Sequence, residues 1–451
     1  MKKKLRIVVC LFCCLMLAAC SGKEEKKEDA KEAVEIQLTD EQSSMATQFV
    51  KDLTQRRYEK LLKDYSYDER MKETIKQKDF QKQLDSYNDS LGKLMEAETP
   101  YGQSYQGSTI IMIPCRMEEQ NTNIQLSLNE KNEIQGLFFK PYKTQKKSAK
   151  TPTGVKETTL NLKISNGKTL AGRLTTPSEG ESFPLVILLA GSGPNDMDET
   201  LYDNKPFQDI AWGLAKKGIA SYRYDKRTYT YPESFTLQDT VEQEVIEDAI
   251  AAVKQGKLQS QINTKQIYIL GHSLSGYLIP RIASQTKDCA GYIMMAAPAR
   301  PLDELFLEQV TYLASLDGTI TDKEQKVIDQ YKQDQKDLAN IDNLSDAKMF
   351  FGGMSKAYMK DLLSYDAVKL AADIEAPVLC AQGLRDYQVT ETDYSIWKKA
   401  FENKKNWSFT NYPKATHLMI DGEGKPTSEE YKTKGHVNQK FIDDIASFIL
   451  K

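Results

Sequence analysis

Residues 266–280 read QIYILGHSLSGYLIP, and this stretch decides the architecture of the longer part of the chain. Ile267 to Leu270 form an apolar, strand-like run; Gly271 and Gly276 punctuate a sharp turn; residues 274–284 then follow helical spacing. A strand that turns abruptly into a helix projects the Ser273 hydroxyl above the end of the strand, and small neighbours let the two elements approach. A G-x-S triplet by itself is a weak signal. Set between a strand and a helix, it marks a serine presented as a nucleophile. Position 275 is Ser where a second Gly is usual, with Gly276 directly after it.

Outward from this turn the chain alternates. Strand-like runs are TTLNLKI, LAGRLTTP, PLVILLA, GIASYRYD, GYIMMAAP, APVLCAQG and WSFTNYP, and helical stretches fall at 205–217, 237–256, 391–402 and 437–451. Near-continuous apolar runs such as VILLA and YIMMAA suit a parallel sheet covered on both faces. The reading for 155–451 is therefore a doubly covered α/β sheet. An insertion at about 301–370 breaks the rhythm with helical composition and reads as a lid over the catalytic edge. Its Phe350, Phe351, Met354 and Tyr358 fit an apolar pocket lining and helical core packing equally well.

A serine hydroxyl needs a base to take its proton and a carboxylate to hold that base. Asp386 follows the strand-like APVLCAQG, at the sheet edge expected for Ser273, and His417 lies in YPKATHLMI after the last strand. A surface-loop histidine is the plainer reading of His417. With only three histidines in the chain, the one that falls at this place is assigned as the base. His272 is expected to support the turn, and His436 to start the final helix. An oxyanion needs two backbone N–H donors. These are assigned to Leu274, directly after the nucleophile, and to Ser192 in the GSGPND loop after PLVILLA, with Gly191 as the alternate. A plain glycine-rich turn is the structural reading of that loop. No GK[ST] follows, which excludes a phosphate loop.

Together GSGPNDMDE, NKPFQDIAWGLAKKGIASYRYDKRTY, GHSLSG, LRDYQV and THLM resemble the secreted bacterial α/β-hydrolases related to serine aminopeptidases and acyl esterases, over about residues 155–451. The resemblance implies an α/β-hydrolase sheet with Ser273, Asp386 and His417 as triad. It also implies structural roles for the Asp196/Asp198 loop and for Arg223, Asp225 and Arg227. Two departures, Ala190 where many relatives have His and Ser275 in place of Gly, bear on substrate and rate.

The preceding part reads differently. Residues 1–19 carry a basic head, Lys2 to Lys4 and Arg6, and an apolar run too short to span a bilayer comfortably. The run ends in Leu17-Ala18-Ala19-Cys20, which resembles the lipobox of bacterial lipoproteins. That implies cleavage before Cys20, lipid on its sulfur, and an extracytoplasmic chain anchored to the membrane. An ordinary secretory signal that happens to contain a cysteine is the alternative. Residues 20–37 are a charged spacer; 38–143 combine two helical patterns with the β-like runs STIIMIPCRME, TNIQLSLNE and NEIQGLFFKPY as a small α+β domain; 144–154 form a polar linker. The small domain resembles, in pattern alone, a curved-sheet domain of unknown function that has the ketosteroid-isomerase type of fold and often precedes secreted hydrolases.

A net charge of −3 argues against a nucleic-acid partner. Removal of residues 1–19 would take away four further positive charges. Cys115, Cys289 and Cys380 are scattered in apolar surroundings and suggest buried, inert thiols and no disulfide framework. No zinc-like spacing occurs, and no metal or cofactor is expected. The expected function is acyl transfer to water on a small acyl ester. A peptidase, an aminopeptidase or a thioesterase of the same fold, or a non-catalytic surface binding lipoprotein, stands as the alternative. Protein partners are left open.

Overall fold

The computed structural model describes residues 34–451 apart from 106–107, 119–120, 142–150 and 166. Cys20, the signal segment, and most of both spacers lie outside the described residues. The described residues fall into two units, 34–141 and 151–451.

In the first unit, Thr39 opens the helix Asp40–Thr54 with a capping box: its hydroxyl accepts from Gln42 N while the Gln42 side chain accepts from Thr39 N. Ala46, Phe49, Val50 and Leu53, spaced at helical intervals, bury one face of this helix. They join Ile111, Ile113 and Cys115 of the strand Ser108–Met117 in one core. Three shorter helices follow, Tyr58–Lys63, Glu69–Lys76 and Lys78–Leu91. The sheet is wholly antiparallel, in the order Val34–Ile36, Tyr101–Tyr105, Ser108–Met117, Thr122–Leu128, Ile134–Pro141, with Leu94–Ala97 also on Ser108–Met117. The three long strands are the β-like runs of the sequence. The other three are too short to show a period.

The second unit is built on eight strands: β1 Val155–Thr159, β2 Gly172–Pro177, β3 Phe183–Leu189, β4 Ala220–Tyr224, β5 Ile262–His272, β6 Gly291–Met295, β7 Val378–Gly383 and β8 Trp407–Tyr412. Their order is β8-β7-β6-β5-β3-β4-β2-β1. Pairing is parallel from β8 to β4, and antiparallel for β2 on β4 and β1 on β2. Every residue of β3 is buried, and its side chains alternate between two cores. Leu185, Ile187 and Leu189 face one core with helix Glu247–Lys257; Val186 and Leu188 face the other with helices Pro206–Ala215 and Gln439–Ile449. Because the central strands run parallel, their C-terminal ends, and the loops that follow them, share one edge.

Several boundaries differ from the sequence expectation: TTLNLKI is split, its Thr158 and Thr159 ending β1 while Leu162–Lys163 pairs with Thr169–Leu170 apart from the main sheet. The helix read as 237–256 begins only at Glu242, because Asp239 accepts from Thr236 N in a turn that competes with a helix, and the Gln243 side chain, accepting from Thr240 N, caps the helical start there; a π-helical turn, Glu242–Ile246, then leads into Glu247–Lys257. The helix read as 274–284 is two, Leu274–Tyr277 and Ile279–Gln285, divided just before Pro280, which has no N–H to continue the ladder. Within the lid, helices Leu302–Ala314, Asp322–Leu338, Lys356–Leu363 and Ala367–Ala371 are interrupted by a hairpin, Met349–Phe350 with Met354–Ser355. Phe351 and Gly352, at φ 45° and 80°, make its turn. Phe350, Phe351 and Tyr358 are buried in the core of this unit, and Met354 packs against it.

Candidate active site

At the end of β5 the chain leaves extended geometry in one residue. Ser273 holds φ 51°, ψ −116°, a conformation that costs a non-glycine residue about 1–3 kcal/mol, and helix Leu274–Tyr277 starts directly after it. Two glycines permit the turn. A Cβ at Gly271 would lie 2.4 Å from Ser275 O, and one at Gly276 would lie 2.7 Å from Ala297 Cβ. The close approach therefore falls on residue 276, leaving room for a side chain at 275. Ser275 uses that room: its buried hydroxyl donates to Ala190 O at 2.5 Å, tying the turn to the end of β3. Ser273 N donates to Met295 O at 2.9 Å, which fixes the turn to β6.

Asp386, buried beyond β7, is surrounded by donors. Gln388 N and Val389 N reach its Oδ1 at 2.7 and 3.0 Å, and Gln382 Nε2 reaches Oδ2 at 3.3 Å. The same Oδ2 lies 2.6 Å from His417 Nδ1, and His417, past β8, is itself buried. A carboxylate facing Nδ1 assigns the ring proton to that nitrogen and leaves Nε2 as an acceptor. Ser273 Oγ makes no hydrogen bond to His417 Nε2 in this structure; such contacts are often long in free enzymes and close on substrate.

The two proposed oxyanion donors are on neighbouring loops. Gly191 N, the alternate, is committed to Glu199 Oε1 at 2.7 Å, whereas Ser192 N and Leu274 N have no protein acceptor among the described residues. Arg223, fully buried, donates to Asp198, Glu157 and Thr175 at 2.8, 2.7 and 2.6 Å, and Asp225 accepts from Met197 N at 2.7 Å, so these charges fold the loop after β3 onto β4. Arg227 pairs with Asp248 at 2.6 Å and with Glu247 at 3.1 Å. His436 lies away from the site on the surface beside Asp209, and the cap of the last helix is Asn438, not His436. Burial pushes the Cys115 and Cys289 thiols up to about 12 and 11, and Cys380 is raised by the same cause, so none competes as nucleophile. Among the described residues no group of side chains is placed to hold a metal ion, and no helix is long and apolar enough to cross a membrane.

Residues 204–424 match the family model described as "Serine aminopeptidase, S33", and residues 46–137 match that of a domain of unknown function, DUF3887. Esterase EstD of Thermotoga maritima is 39% identical over 326 residues, covering 72% of this chain and 76% of that protein. The chain belongs to the α/β-hydrolase esterase family. Solved structures similar to this hydrolase include Est1E from Butyrivibrio proteoclasticus, at 16% identity and TM-score 0.43 over 65% of this chain and 97% of that one. A Pyrococcus furiosus esterase is likewise 16% identical, with TM-score 0.43 over 65% and 90% of the two chains.

One pair in this hydrolase escapes a reading of the sequence. Glu199, at φ 52°, turns its buried carboxylate under the site, where Oε1 meets His272 Nδ1 at 2.7 Å as well as Gly191 N. The other ring nitrogen of His272 lies 3.0 Å from His417 O, and the two imidazoles sit 4.6 Å apart. His272 thus links the loop after β3 to the loop that carries His417. Its place next to Ser273 hinted at support; nothing in the spacing of Glu199 points to a histidine 73 residues on.

Proposed function

We propose that this hydrolase cleaves small acyl esters through Ser273, His417 and Asp386. Ser273 Oγ adds to the ester carbonyl carbon while His417 Nε2 takes its proton. Asp386 holds the imidazole by Nδ1 and stabilises its charged form. The N–H groups of Leu274 and Ser192 receive the developing oxyanion. Collapse breaks the bond to the alkoxy group, which leaves as the alcohol with the proton from His417. Water, deprotonated by the same nitrogen, then releases the acid and regenerates the serine. The observation that carries this reading is the 2.6 Å contact of His417 with Asp386, at the sheet edge where Ser273 occupies its strained turn.

Likeness to EstD favours an ester. The match to a serine aminopeptidase model supports a second reading, in which the same groups cleave an aminoacyl amide. The basic head, the short apolar run and Leu17-Ala18-Ala19-Cys20 support export and a lipid tether on Cys20, with the hydrolase on the outer face of the membrane. Rates on short p-nitrophenyl esters and on aminoacyl p-nitroanilides, for wild type and Ser273→Ala, test the chemistry. Ester turnover is expected to dominate and to fall at least about 10³-fold in the variant; equal rates in the two proteins would refute the mechanism, and dominant anilide turnover would favour the peptidase. Cys20→Ser is expected to move the protein from the membrane fraction to the soluble one, and an unchanged distribution would refute the tether.

A further inference from the structure

The carbonyl of Gly191 and the N–H of Ser192 belong to one planar, trans peptide, so they point in opposite directions and turn together. Whatever holds that carbonyl aims that N–H. Lys226, which follows β4 and is 4% exposed, donates from Nζ to Gly191 O at 2.7 Å. Its backbone N–H is bonded at 3.0 Å to Asn195 O of the same loop. Asn195 Nδ2 adds a neutral donor to Gly191 O at 3.2 Å. An ammonium on the carbonyl also polarises the amide and strengthens its N–H as a donor.

A buried ammonium persists only when it is paired. Lys226 has its partner in Glu244, itself buried in the π-helical turn, at 2.5 Å to Oε1. The second oxygen of that carboxylate accepts from Tyr358 OH at 2.6 Å. Tyr358 belongs to the lid helix Lys356–Leu363, and Ser355 caps that helix by accepting from Tyr358 N. Burial, reinforced by the Glu244 charge, keeps the phenol protonated far above its usual range, so it remains a donor. An unbroken buried chain, Tyr358–Glu244–Lys226–Gly191 O, thus joins the lid to the peptide that carries the second oxyanion donor.

We propose that Lys226 is a positioning residue of the oxyanion hole, held in place by Glu244 and by the lid through Tyr358. The proposal rests on the hydrolytic reading above. Lys226 touches no substrate atom. It fixes and polarises the Gly191–Ser192 peptide, and the lid contributes by sharing the Glu244 carboxylate.

The test uses the whole protein, with active sites counted by fluorophosphonate titration so that misfolded molecules do not enter kcat. Lys226→Met alone strands a buried carboxylate and is open to misfolding. The Lys226→Met/Glu244→Gln double variant removes both charges together and is the variant to read. Its kcat is expected to fall about tenfold or more with KM within about twofold, short of the 10²–10³ that follows deletion of a direct oxyanion donor. Affinity for a boronic acid transition-state analogue is expected to fall by the same factor as kcat/KM, which a purely structural role would not produce. Tyr358→Phe is expected to lower kcat several-fold at unchanged KM. If the double variant keeps wild-type kcat and boronate affinity while Ser273→Ala is inactive, the positioning role is overturned and the triad stands. If Tyr358→Phe alone leaves kcat unchanged, the part assigned to the lid is overturned. Full activity in Ser273→Ala would instead remove the reading beneath both.

Discussion

Buried between the serine turn and the His417 loop, the His272 ring has an acceptor on each side, Glu199 Oε1 and His417 O. An acceptor at each ring nitrogen favours the doubly protonated imidazolium. Burial opposes that charge, but the Glu199 carboxylate, the His417 carbonyl and the Asp386 charge together raise the His272 pKa above its ordinary 6.5. A group whose folded pKa is raised adds stability that is complete below the unfolded value and disappears as pH climbs through the folded one. The stability difference between wild type and His272→Gln, measured by urea unfolding, should thus be largest below about pH 6.5 and shrink as the medium becomes alkaline. A difference that grows with pH would contradict the buried ion pair. At this scale residue type and chain order singled out Ser273, Asp386 and His417 as the proposed triad, and the structure sets His417 Nδ1 2.6 Å from Asp386 and Ser273 at a strained turn. Glu199, Lys226 and Glu244 were not singled out: their roles depend on which way a buried side chain turns, and Glu199 does so from a left-handed backbone that no sequence pattern signals.

Among elements, the strand–turn–helix at 266–280 was readable because an apolar run, two glycines and a helical period fall in immediate succession. The sequence did not disclose which glycine takes the close contact. Both do: an added Cβ at Gly271 would meet Ser275 O at 2.4 Å, and one at Gly276 would meet Ala297 Cβ at 2.7 Å and Gly271 O at 2.9 Å. Gly276→Ala is expected to cost about 1–3 kcal/mol of stability by overpacking, and to lower kcat/KM at least tenfold because the shift would displace Ser273. Wild-type kinetics in that variant would show that the turn tolerates movement. The lid was recognised as an interruption of the β–α rhythm, but its hairpin was hidden: strands of two residues carry no period, and the turn lies at Phe351 and Gly352, inside a stretch of helical composition.

Taken whole, the chain divides by core. Most buried apolar side chains of 34–141 form one cluster, and most of those of 151–451 form two clusters on opposite faces of the eight-stranded sheet. Ser273, Asp386, His417 and the other residues proposed for the active site all lie in the second unit. A piece spanning 151–451 is therefore expected to fold and to hydrolyse p-nitrophenyl esters with kcat/KM within about twofold of the full chain. Loss of activity in a folded piece would assign the first unit a part in catalysis. The doubly covered sheet was foreseeable from its apolar runs, such as β3, whose alternate side chains enter the two cores. The first unit offered helices and three long strands to the eye but no chemistry.

The most direct measurement is the site of covalent capture by a fluorophosphonate, located by peptide mass spectrometry in wild type, His417→Ala and Asp386→Asn. A triad assembled at one sheet edge predicts a single adduct, on Ser273 in wild type, formed at least about 10³-fold more slowly when His417 is removed and markedly more slowly in Asp386→Asn. An adduct on another residue, or capture of Ser273 at an undiminished rate without the imidazole, would contradict it.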